Sequence, residues 1–241
     1  MIRRQITFII MLFFISCQTG ELDIGISDFV EFDKAFVPFN YYCTQSDMKK
    51  AVLYAGKFET VWTNLKTRHS ASVKNGFFKE IDKNVRKSVS EIKNGESDSC
   101  QETLTEIKYY LYQFREENKI SYFPDYLVIF QESVDNMMLA VTDEKNMPEL
   151  DEFDLSRISD ELNEAYSVFS LIENSNFDSK IYEFDEKVTE NFKKAVAEEK
   201  KRLSTLEKAL TAGNSSKIKK NVILVNEGYN DIYRLFGDFS I

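Results

Sequence analysis

The chain predicts an all-α fold, an elongated up-and-down helical bundle. Three observations carry that prediction. Glycine and proline are scarce, 8 and 3 in 241 residues, whereas a β-sandwich needs many tight turns. Apolar residues recur at steps of three and four along most of the sequence, the period of a helix face and not of a strand. The chain is also long enough to bury a sizeable core.

The elements follow in order. Phe29, Phe32, Phe36 and Phe39 step along one face of a first helix, with Tyr41 and Tyr42 after it. Met48, Val52, Ala55, Phe58, Trp62 and Leu65 mark a second, starting after Ser46-Asp47, a good N-cap. Phe78, Ile81, Val85, Val89 and Ile92 form a third that stops at Asn94-Gly95. Leu104, Ile107, Leu111 and Phe114 form a fourth. A fifth begins after Pro124 and carries Leu127, Phe130, Val134, Met137, Met138 and Val141. The polar stretch from Thr142 to Asp154, interrupted by Pro148, reads as a loop. Ile158, Leu162, Ala165, Phe169 and Ile172 form a sixth stripe. Val188, Phe192, Val196, Leu203, Leu206 and Leu210 form a seventh, ending at Gly213, and Ile218, Val222, Val225, Tyr229, Ile232 and Phe236 the last. The few prolines and glycines are expected at the boundaries between these elements.

The two halves align loosely. A shift of 118 puts Ile92 on Leu210, Gly95 on Gly213, Leu104 on Val222 and Leu111 on Tyr229. A shift of 110 puts Met48, Val52, Ala55 and Trp62 on Ile158, Leu162, Ala165 and Ile172. The expectation is an internal duplication of a three-helix unit, residues 46–118 and 156–237, within one helical-bundle domain spanning 28–241. Coincidence is the alternative, since any two amphipathic helices align at some offset.

At the N-terminus, Arg3 and Arg4 precede an apolar run from Ile6 to Ile15, and Ser16-Cys17 follows. The run has the length of a signal-peptide core and is too short to span a bilayer. The segment resembles the type II signal peptide of a bacterial lipoprotein, with Phe14-Ile15-Ser16-Cys17 as its lipobox; Phe14 stands where the pattern usually has Leu. The resemblance implies cleavage before Cys17, acylation of Cys17 (palmitate among its chains), and anchoring in the cell envelope. Residues 1–16 are then the signal peptide and 17–27 a lipidated tether. No Asp follows Cys17, which by the same resemblance points to the outer membrane, on its periplasmic or surface face.

With Cys17 lipidated, Cys43 and Cys100 remain, and an oxidising envelope makes a disulfide between them the default expectation. Two separate buried thiols are the alternative; their spacing is not that of a redox motif. The net charge of −9 becomes more negative once Arg3 and Arg4 are removed. So acidic a chain should repel nucleic acid and anionic headgroups.

No catalytic constellation can be assembled. The chain has one histidine, His69, too few for the zinc and di-iron patterns that need two or more, and it is expected at a solvated helix end. The order of helices faintly resembles the cytochrome b562 and c-prime bundles, without their haem-ligating His or Cys-x-x-Cys-His. Met48, Met137 and Met138 read as core filler. Glu149, Asp151, Glu152, Asp154, Asp160, Glu161 and Glu164 lack the order of a calcium loop and read as a solvated loop and helix start. The 20 Phe and 12 Tyr, crowded at Tyr109, Tyr110, Tyr112, Tyr122, Phe123 and Tyr126, read chiefly as bulky core, with a partner surface as the alternative. The functional expectation is a non-catalytic binding or scaffold lipoprotein with an envelope protein partner and no cofactor. A metal- or haem-binding bundle is the alternative.

Overall fold

The computed structural model describes residues 24–69, 76–142, 149–175 and 177–240. The leader, Cys17, most of the tether and Pro148 lie outside the described residues. Eight α-helices follow one another: α1 (Ile26–Thr44), α2 (Met48–Arg68), α3 (Gly76–Lys93), α4 (Ser97–Glu117), α5 (Pro124–Thr142), α6 (Glu152–Asn174), α7 (Glu186–Thr211) and α8 (Ser215–Tyr233), with a 3₁₀ turn at Arg234–Phe236. The described residues contain no strand, and the helices pack as an up-and-down bundle. None of them is long and apolar enough to cross a membrane.

Local signals set many of the boundaries. Asp47 accepts a hydrogen bond from the Lys50 N–H at 3.2 Å, and Asp151, Asp185 and Asn214 cap α6, α7 and α8 in the same way at 2.7–2.9 Å. Because Asp151 is the cap, α6 begins at Glu152, inside the stretch expected to be loop. Its acids are spent on the helix start, where the macrodipole favours them.

Each helix packs chiefly on its chain neighbours, and the neighbours close into two rings. Helix α1 packs on α2, α2 on α3, α3 on α4, and α4 returns to α1; α5 to α8 repeat the pattern, α8 returning to α5. The segments 46–118 and 156–237 correspond to α2–α4 and α6–α8, and α1 or α5 completes each ring. The ends of α3 and α7 match bond for bond. Gly95 and Gly213 both have positive φ, +86° and +63°. The Gly95 N–H donates to Ile92 O and the Glu96 N–H to Glu91 O; the Gly213 N–H donates to Leu210 O and the Asn214 N–H to Ala209 O. These are paired Schellman closures, and every partner in one lies 118 residues from its counterpart in the other.

Proline and glycine do not all mark boundaries. Pro38 lies inside α1. Having no N–H, it leaves the Lys34 carbonyl without its helical donor. The chain's C-terminal strap supplies one: the Asp238 N–H donates to Lys34 O at 2.8 Å. The strap fits because residue 237 is glycine; a Cβ there would lie 2.9 Å from Pro38 Cδ. Lys57 pairs with Asp238 at 2.7 Å, and Phe239 packs against Tyr41, Tyr42 and Tyr54. The end of the second ring is thereby strapped across α1 and α2 of the first.

Candidate functional site

The densest group of buried ionisable side chains sits at the join between the rings. Helix α4 contributes Lys108 and Arg115, α1 contributes Asp33, α5 contributes Asp125 and Gln131, α8 contributes Tyr229 and Tyr233, and the α4–α5 connection contributes Tyr122. All are buried except Gln131, which is half-buried.

Arg115 is the hub. Its Nε donates to both Asp125 oxygens at 3.0 and 2.9 Å, and its NH2 group also binds Asp125. This fork-on-carboxylate geometry is the strongest ion pair that side chains form. The guanidinium also stacks between Phe29 and Tyr122, 4.9 and 4.7 Å from their ring centres. Tyr122 OH donates to Asp33 at 2.7 Å. Burial outweighs the attraction of Arg115 and raises the Asp33 carboxyl to about 6. Asp125 is also raised by burial, against the pull of Arg115.

Lys108 extends the network. Its ammonium donates to Gln131 Oε1, which also accepts from Tyr229 OH at 2.7 Å, so one amide oxygen links α4, α5 and α8. Burial lowers the Lys108 ammonium to about 8, opposed by Asp135 and Asp33. Nearby, Tyr182 OH accepts from the Phe123 N–H at 2.9 Å, and Phe123, Phe177, Tyr182, Phe192 and Phe236 pack ring on ring. Outside Asp125 lies a cleft of about 250 Å³ walled by Tyr112, Glu116, Lys119, Ser121, Tyr126 and Ile129.

Another buried acid lies within the second ring. Glu199 of α7 is fully buried against α8, in room left by Gly228, where a Cβ would lie 1.6 Å from the Glu199 carboxyl. Arg202 stands 3.6 Å from it, yet burial raises the Glu199 carboxyl to about 8.

The sequence carried a signal for these groups. Lys108 and Arg115 fall four residues after Leu104 and Leu111 on the apolar stripe of α4. Asp33 lies between Phe29 and Phe36, and Glu199 between Val196 and Leu203. A charge on the stripe spacing faces the core, and buried charges need partners.

The residues singled out from sequence have different fates. Cys43 and Cys100 are both fully buried free thiols, close enough to perturb each other's ionisation. His69 is not solvated: it is buried, with Nε2 3.1 Å from Asp28 Oδ1, because the end of α2 folds against the start of α1. Arg68 donates to the same Asp28 oxygen at 2.9 Å, and the Gly25 N–H to the other at 2.9 Å. His69 and Asp28 edge a small cavity of about 20 Å³ whose other walls are mostly aromatic and aliphatic. Met137 is buried in the core, with Met48 and Met138 at its edge. No cluster of three or more metal-ligating side chains occurs among the described residues. Glu149, Asp151, Glu152, Asp160 and Glu164 are exposed, Asp154 and Glu161 partly so. Of the crowded aromatics, Tyr122 and Phe123 are core, Tyr110, Tyr112 and Tyr126 are half-buried, and Tyr109 is exposed. Comparison with protein-family models, curated proteins and solved structures finds no match to this chain.

Proposed function

We propose that the protein is a lipid-anchored envelope scaffold: a rigid two-ring helical body held at a membrane by acyl chains on Cys17, which binds an envelope protein without catalysis. The observation that carries the scaffold reading is the join. Arg115, Asp125, Asp33, Lys108 and Gln131 are engaged by groups from other elements, so their chemistry fixes two rings into one body. The anchor reading rests on the lipobox-like Phe14-Ile15-Ser16-Cys17. The start of α1 supports it: Gly25 is tied to Asp28, so residues 18–25 would be the whole reach between lipid and bundle, at most roughly 30 Å. Several acyl chains hold a protein firmly at a bilayer, each buried CH₂ adding about 0.8 kcal/mol. The acidic bundle therefore needs no membrane-binding face of its own.

Two measurements test this. Labelled palmitate should enter the wild-type protein and not Cys17→Ala, and the variant should leave the outer-membrane fraction. A wild-type protein that takes no label and stays soluble rejects the anchor. Photo-crosslinking from Tyr112 or Tyr126 in intact cells should give one discrete adduct with an envelope protein, lost in Cys17→Ala. Adducts with lipid or with the same chain alone would reject the scaffold role.

A further inference from the structure

We propose that Cys43 and Cys100 join in an intramolecular disulfide that fastens the end of α1 to the start of α4 and closes the first ring covalently. The site is held ready by contacts besides the thiols. The Cys43 carbonyl accepts from Ser97 Oγ at 3.1 Å and from Gln101 Nε2 at 3.0 Å, and Cys43 Sγ donates to the Ser97 carbonyl at 3.5 Å. These three bonds pin the last turn of α1 to the first turn of α4, and both buried thiols lie at this junction. The second ring shows what plain packing puts at this level. The residue 118 positions after Cys100 is Ile218, fully buried at the start of α8. An aliphatic side chain suffices there to fill the layer, whereas the first ring holds two buried thiols.

The chemistry needs an oxidant, and a protein or small-molecule disulfide supplies it. Cys43 gives up its proton and its thiolate attacks one sulfur of the oxidant, releasing the other as a thiolate and leaving a mixed disulfide on Cys43. Cys100 gives up its proton and attacks Cys43 Sγ, which releases the second oxidant sulfur. Two S–H bonds are lost, one S–S bond forms, and the oxidant disulfide becomes two thiols. The exchange balances equally with the two cysteines interchanged. Both sulfurs are buried, so exchange takes place during folding or through fraying of these two helix ends. The bond would close a loop of about 56 residues and so constrain the unfolded chain strongly. That it forms in the cell rests on the envelope address proposed above; that it can form does not.

The test is non-reducing peptide mapping of the full-length protein as purified and after incubation with oxidised glutathione, with alkylation of remaining thiols under denaturant. The expected result is a Cys43–Cys100 linked peptide and no alkylation at either residue. Reduction should then lower the melting temperature by on the order of 10 °C, with no such shift in Cys43→Ala/Cys100→Ala. Cys100→Ala should trap glutathione on Cys43, and Cys43→Ala should trap it on Cys100. Alkylation of both residues after oxidation would overturn the disulfide. Alkylation of Cys17 beside a linked Cys43–Cys100 peptide would reject the lipid anchor and leave the disulfide standing.

Discussion

At position 199 a carboxyl occupies the place where the stripe of α7 calls for an aliphatic side chain. Burial raises Glu199 from an ordinary 4.5 to about 8, so between those values the folded chain holds a proton that the unfolded chain has released. Stability from this group is full below about pH 4.5 and is lost as pH rises through 8. Glu199→Gln should remove that slope and raise stability above pH 8 by on the order of 3 kcal/mol, read from urea denaturation at pH 5, 7 and 9. Lys108 has the opposite sign. Burial lowers it from 10.5 to about 8, so its cost is present below pH 8 and relieved as pH rises towards 10.5. Lys108→Met keeps the length, and Gln131 keeps its bond from Tyr229. The variant should remove this rise in stability between about pH 8 and 10.5 in the same measurement. Neither effect could be read from hydropathy. The stripe shows that Glu199 and Lys108 face inward, but the room for Glu199 is left by Gly228 of α8 and the acceptor for Lys108 is Gln131 of α5, each on another helix.

At the scale of elements, the helices that carry their own start and stop signals were legible in the sequence. Asp47 caps α2, and Gly95 and Gly213 end α3 and α7 where the periodicity stops, because capping and left-handed closure depend on a few adjacent residues. The eight stripes also became eight helices in the expected order. What was not legible depends on distant parts of the chain. Pro38 reads as a boundary, and α1 tolerates it because a strand of backbone some 200 residues later donates to Lys34 O. His69 reads as a frayed end and is buried because Asp28, on another helix, lies beside it. The strap gives a direct prediction. Ending the chain after Gly237 removes the Asp238 contacts to Lys34 and Lys57 and the Phe239 packing. The helices should persist by circular dichroism, while stability should fall by about 2–4 kcal/mol, the range for losing a half-buried aromatic and a partnered backbone carbonyl. An unchanged denaturation midpoint would mean that the strap merely lies on the surface.

On the scale of the whole molecule, two four-helix rings of like connectivity share one continuous hydrophobic core, and a buried polar join ties them further. It combines an Arg115–Asp125 pair buried from solvent, the Asp33–Tyr122 bond, the Gln131 bridge and the strap. Removing one partner from such a buried ion pair costs about 3–5 kcal/mol, since the other charge is left without compensation. The lone Trp62 makes this measurable. It is buried in α2 of the first ring, where its Nε1 donates to Asp82 at 2.9 Å, so its fluorescence reports the first ring alone while far-ultraviolet circular dichroism reports both. The decisive measurement is urea denaturation followed by both signals in the wild type and in Arg115→Ala. One body predicts coincident transitions in the wild type and two separated ones, at lower urea, in the variant. Separated transitions in the wild type would show that the rings unfold independently, and would contradict the rigid scaffold built on their join.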